Sequence, residues 1–170
     1  MNLHFEGKPA RYRHINAAEA AILALFSPKS IKITGINAAD LPNGAEVAII
    51  AVSGLGTDDT EVYIGQGTIS GGSVTAALTD LDHNPYTGNG SFAFEIYKHT
   101  DAEPPYVVYA YTNGKTMTQL GITIDSGTGA IAFDTTDEFI AAFNKLPTIA
   151  LTSATTTIPF SKFAKGGVGF

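Results

Sequence analysis

The 170-residue chain contains no cysteine, which excludes disulfides, thiolate metal sites and thiol nucleophiles but leaves the compartment open. Charged residues make up only 15%, and 16 acids against 10 bases give a formal charge of -6. That balance argues against nucleic acid as a partner, because phosphate binding needs a basic face that releases counterions. The one basic cluster, Lys8, Arg11, Arg13 and His14 around Tyr12, reads as a solvated N-terminal segment. Long apolar runs are also lacking. "AAILALF" from Ala20 to Phe26 falls far short of the ~20 residues needed to span a bilayer, so no membrane span is expected. Glu19 before it and "FSPKS" after it do not fit a signal-peptide core with a small-x-small cleavage site, and no leader is visible. The G-x-S-x-G elbow, the phosphate-binding glycine loop and the H-E-x-x-H zinc motif are absent. "GQG" at 65–67 and "GGS" at 71–73 lack a following helix and read as turns or bulges.

What the chain does hold is strand chemistry: much Gly and Thr, with short runs rich in Val, Ile, Phe and Tyr. Strands are expected at 30–36, 46–52, 61–69, 73–78, 91–98, 106–112, 118–125, 129–133, 148–151 and 156–163, separated by Pro-, Gly- and Asn-bearing turns. This spacing predicts a mainly β, antiparallel β-sandwich or barrel. Two short helices interrupt it. The first opens at Asn16, with Glu19 able to reach back, and stops before Pro28; the second opens at Thr135, with Glu138 three residues on, and repeats Phe139, Ile140, Phe143 and Leu146 on one stripe before Pro147. With no linker or internal repeat, 1–170 reads as a single domain: an N-terminal segment over 1–29 and a β core over 30–170 with its helix near 135–146. A chain of this length buries roughly 70% of its unfolded surface and needs no staple.

The hairpin between Ser91 and Thr112 can be taken to register. With "KHTDAEPP" as a symmetric loop, Phe92, Phe94 and Ile96 stand opposite Tyr111, Tyr109 and Val107 on the core face. The other face then carries Ala93, Glu95, Tyr97, Tyr106, Val108 and Ala110, with Tyr97 and Tyr106 side by side near the loop. The plain reading of that pair is a cross-strand clip. The functional reading is a sugar or protein contact, since each ring offers a flat apolar face and a polar tip.

"DLDHNPYTGNGS" sets Asp80, Asp82 and Asn84 at the first, third and fifth ligand positions of a calcium loop. Pro85 then stands where that loop needs Gly, and Ser91 where it needs a bidentate Glu, which leaves at most an incomplete calcium site. The favoured reading is a turn: Asx side chains support it, Pro85 stiffens it, and Gly88-Asn89-Gly90 is expected to supply positive φ before the next strand. No other cofactor is expected.

"ITIDSGTGA" matches the Asp-Ser-Gly-Thr pattern of an aspartic-protease loop around Asp125, but such chemistry needs two of these loops and one is present. His4, His14, His83 and His99 are scattered through polar stretches and read as solvent-facing rather than as a metal set. Asp58, Asp59 and Glu61 share one loop, and no cleft for a general acid/base pair is visible. The tail "FAKGGVGF" ends in Phe170 after glycines, and serves either as a strand packed on its own domain or as a segment that joins a partner's sheet edge.

Three pieces, "IKITGI", "GTISGGSVTAALTDLDHNPYTGNGSFAFEIY" and "TTTIPFSKF", resemble uncharacterised bacterial exported or lipoprotein-type β-sandwich domains. The resemblance spans about half the chain and rests on strand and turn residues, so it carries no catalytic positions. It implies an extracellular or cell-envelope setting. The expected function is a non-enzymatic structural, adhesive or assembly module acting through a protein partner or self-association. Two alternatives stand: a carbohydrate-binding module using Tyr97, Tyr106 and the 54–60 loop, and a hydrolase of aspartic-protease or metal-dependent type.

Overall fold

The computed structural model describes residues 17–18, 27–101, 106–123 and 136–166. The β-branched and aromatic runs form nine strands among these residues: β1 (Ser30–Thr34), β2 (Glu46–Ser53), β3 (Glu61–Thr68), β4 (Val74–Ala77), β5 (Ser91–His99), β6 (Tyr106–Tyr111), β7 (Ile149–Ala150), β8 (Thr155–Pro159) and β9 (Phe163–Lys165). One α-helix of more than two described residues accompanies them, α1 (Thr136–Phe143). Ala17 and Ala18 are helical; the rest of the expected first helix, Asp125, the 129–133 strand and Phe170 lie outside the described residues.

The strands form two sheets. One runs β4-β1-β8; the other runs β3-β2-β5-β6-β9, with β7 on the end of β5, and neither closes into a barrel among the described residues. Neighbours are antiparallel except β1 and β8, which pair in parallel from Ser30↔Thr155 to Thr34↔Pro159, so the all-antiparallel expectation does not hold there. The reason is topological: β8 arrives beside β1 from the far end of the chain and is not its hairpin partner.

One hydrophobic cluster draws buried side chains from both sheets. Ile31 and Ile33 of β1, Val74 and Ala76 of β4 and Ile158 of β8 join Val47 and Ile49 of β2 and Phe92, Phe94 and Ile96 of β5. Phe92 and Phe94 are fully buried, each a contribution of about 1.5–3 kcal/mol. A second cluster lies on the opposite face of the larger sheet. There α1 lays Phe143 and Ala142, with Leu146 just beyond its end, over Val52, Ala93 and Ala110, and Met117 and Ile122 close the side. Asp137 and Glu138 in the first turn of α1 suit the helix dipole. Because both faces of β2 are covered over much of its length, "VAIIAV" reads as an unbroken apolar run rather than an alternation.

The β5–β6 register differs from the expected one. Ile96 pairs with Tyr109 and His99 with Tyr106, a slip of two residues, because pairing in β5 continues through Lys98 and His99, which the expected loop includes. A two-residue slip preserves parity, so the faces are as expected: Phe92, Phe94, Ile96 and Tyr109 lie in the shared core. The expected strand over 118–125 is absent across its described part. Thr116 and Gln119 bond reciprocally, Thr116 N–H to Gln119 Oε1 at 2.9 Å and Gln119 N–H to Thr116 Oγ1 at 3.1 Å, and cap a tight turn. "TMTQ" is thus a capping-box signal that outweighs the β propensity of the residues after it.

"GQG" is neither a turn nor a bulge. It lies within β3, and a Cβ on Gly65 would meet Ala76 Cβ at 2.8 Å while one on Gly67 would meet Val74 Cγ2 at 2.6 Å. The two glycines let β4 settle directly against β3, and Ile64 and Thr79 bridge the edges of the two sheets there. "GGS" does form the expected turn, with Ser70 and Ser73 paired across it.

Candidate functional site

Alternation along β5 places Tyr97 and His99 on the same face of the larger sheet as Glu95, and the register brings Tyr106 of β6 opposite His99. Helix α1 covers the Ala93 end of that face, and the other end is an open groove of about 420 Å³. Its walls are Tyr97, His99 and Tyr106 on one side and Glu46, Gln66 and Thr68 of β2 and β3 on the other, with Ala48 between them. Glu46 and Thr68 are directly paired, as are Ala48 and Gln66, so the polar wall is fixed by a strand ladder rather than by a loop.

The aromatic wall is set by ring contacts. Tyr97 and Tyr106 meet at 6.2 Å between centroids with planes 67° apart, and His99 meets Tyr106 at 5.4 Å and 84°. Tyr106 is nevertheless 51% exposed, one of two large apolar side chains so open among the described residues. Behind it, Tyr97 Oη donates to Glu95 Oε1 at 3.2 Å, and Glu95 is buried at 1% exposure. A buried carboxyl oxygen accepting from the phenol orients the ring and its oxygen. The expected tyrosine pair is therefore present, diagonal rather than directly opposite, and His99, exposed as expected, also joins it at the strand end. No local motif singles out Glu46, Gln66 and Thr68, because the strand pairing that brings them to β5 is long-range.

The 54–60 loop does not belong to this groove. It closes the Ser53↔Glu61 end of the β2–β3 ladder, the opposite end from Glu46↔Thr68. Thr57 Oγ1 and Thr60 Oγ1 both donate to Gly54 O, at 2.6 and 2.8 Å, and Asn144 Nδ2 donates to Leu55 O at 3.4 Å from beyond α1. Asp58, Asp59 and Glu61 are exposed there.

At the other acidic stretch, Asp80 Oδ1 accepts the backbone N–H groups of Asp82 and Asn84, both at 2.9 Å, and Oδ2 accepts Asn84 Nδ2 at 3.3 Å. These bonds hold the Asp80 carboxyl below the usual carboxylate range, led by the Asn84 backbone donor. Asp80, Asp82 and Asn84 are thus brought together as an Asx-type turn, with His83 in the left-handed region at φ 65°. Among the described residues no group of three or more His, Asp or Glu side chains is arranged to hold a metal ion.

The glycines at 88 and 90 serve a different purpose from the expected one. Gly88 and Gly90 are not in the positive-φ region; a Cβ on Gly88 would lie 2.5 Å from Tyr86 Oη, and the Gly90 N–H donates to that oxygen at 2.8 Å. The loop wraps the Tyr86 phenol, whose ring packs on Tyr63 at 4.3 Å and on Phe92 at 5.2 Å.

No helix among the described residues is long and apolar enough to cross a membrane. No protein-family model, curated protein or solved structure matches the chain.

Proposed function

We propose that the chain is an exported β-sandwich that works without catalysis as a carbohydrate-binding module, with the groove of Tyr97, His99 and Tyr106 as its contact surface. The two sheets sharing one core support the sandwich reading. The observation that carries the function is the exposure of Tyr106 beside Tyr97 and His99, across an open groove from Gln66, Thr68 and Glu46. A sugar ring presents apolar C–H faces and a rim of hydroxyls; aromatic faces with amide, hydroxyl and carboxylate groups opposite them match both. The deciding experiment is a glycan array followed by calorimetry on any hit. Binding that falls at least about tenfold in Tyr106→Ala and Tyr97→Ala, with both variants still folded, supports the reading. An array without hits for the wild-type chain ends it.

A structural or adhesive module of the cell envelope is the second reading, favoured by the edge at β8. Among the described residues β8 pairs with β1 alone, and Thr155, Thr157 and Pro159 are exposed. An open edge accepts a further strand, although Pro159 lacks the N–H that continued pairing would use. Sedimentation at rising concentration tests it, because a monomer throughout, with no partner-induced change, removes self-association.

A further inference from the structure

We infer that the groove selects sugars bearing a protonated primary amine, such as glucosamine oligomers, over their N-acetylated or carboxylate-bearing counterparts; this rests on the carbohydrate reading above. Charge is the first reason. Among the described residues lining the groove, Glu46 is the one carboxylate and there is no Lys or Arg. Glu46 is exposed at the start of β2, positioned to meet a ligand and not consumed in packing. The nearest base in sequence, Lys98, pairs with Val47 and Val107, and by alternation all three face the other side of the sheet. An anionic sugar entering here meets the Glu46 charge, with no Lys or Arg among the described lining residues to offset it.

Hydrogen-bond polarity is the second reason. The Glu46 carboxylate is an acceptor only. An ammonium offers three donors, no acceptor and a positive charge, which suits that carboxylate better than an acetamide, which is uncharged and keeps a single N–H. The faces of Tyr97 and Tyr106 add attraction for a cation that an uncharged sugar does not gain.

The test is calorimetric titration of the chain with a glucosamine tetramer and with an N-acetylglucosamine tetramer at low salt. The expected result is a several-fold preference for the amine form, of the size that one exposed charge pair supplies, shrinking as salt is raised and in Glu46→Gln but retained in Glu46→Asp. Equal affinities, a preference for the acetylated form, or an amine preference that survives both salt and Glu46→Gln would overturn the inference while leaving the carbohydrate reading intact. If neither tetramer nor any arrayed glycan binds, both fall together. Melting curves of Glu46→Gln that overlay the wild type separate a binding effect from a folding one.

Discussion

A Cβ on Gly67 would stand 2.6 Å from Val74 Cγ2 and 2.9 Å from the Thr75 carbonyl oxygen, so β3 and β4 approach closely only because position 67 has no side chain. Backbone oxygens cannot rotate away, and the strain of an added methyl falls on the joint between the sheets. Gly67→Ala is expected to cost about 1–3 kcal/mol of stability, the usual range for overpacking a tight contact. Gln66→Ala, one residue away and exposed on the opposite face, is expected to leave stability within about 0.5 kcal/mol. Urea titration of the two variants measures both numbers, and similar midpoints would contradict the close approach.

Tyr86 makes a second prediction. Its hydroxyl accepts the Gly90 N–H at 2.8 Å, and its ring sits in a cluster with Tyr63 and Phe92. Tyr86→Phe keeps the ring and removes the acceptor, which strands a part-buried N–H at a cost of roughly 1–3 kcal/mol. Hydrogen exchange at Gly90 is expected to accelerate in the variant, while the amides of β2 follow only the global loss.

The contrast between these glycines and the hairpin marks what is legible in the sequence. The period-two alternation of the large apolar Phe92, Phe94 and Ile96 with Ala93, Glu95 and Tyr97 identifies which side of β5 enters the shared core, because successive side chains of a strand point to opposite faces, although the other face is buried too as far as Glu95. The stripe Phe139, Phe143 and Leu146 identifies the covering face of α1 in the same way. Gly65, Gly67, Gly88 and Gly90 mislead because their cause is a neighbour distant in sequence, or a phenol folding back, and the local pattern of such a glycine is the same as that of a turn. The groove is half legible for a related reason. Tyr97 and Tyr106 belong to one hairpin, but Glu46, Gln66 and Thr68 reach them only through the long-range β2–β5 pairing.

Phe143 is 3% exposed and joins α1 to Ala93 and Ala110 in a cluster separate from the shared core of the two sheets. Phe143→Ala is expected to cost about 3–5 kcal/mol, a large share of the roughly 5–15 kcal/mol typical of a domain. Since the loss falls on the second cluster, α1 should open locally before the sheets do. Native-state hydrogen exchange is the check: in the variant, amides of α1 are expected to lose protection first, with β2 and β5 protected until global unfolding. Uniform loss across helix and sheet would show that the two clusters are one cooperative unit.

Asp80 yields a pH dependence whose sign is set by its donors. The Asn84 backbone N–H, then the Asn84 side chain and the Asp82 N–H, favour the charged carboxylate and lower its pKa in the folded chain, outweighing the opposing effect of desolvation. The folded state therefore binds fewer protons than the unfolded one between the two pKa values, and the stabilisation is complete above the unfolded value of about 3.9 and lost as pH falls through the folded one. The urea midpoint difference between wild type and Asp80→Asn is expected to stay constant from about pH 7 to about pH 5, then shrink in stronger acid, which isolates this group from the other carboxylates. The same geometry bears on calcium. Both Asp80 oxygens already accept donors from the turn, so an ion must displace them to bind. Melting temperatures in millimolar calcium and in chelator are expected to coincide, whereas a calcium-dependent rise that disappears in Asp80→Asn would show that the carboxylate exchanges its turn donors for a metal.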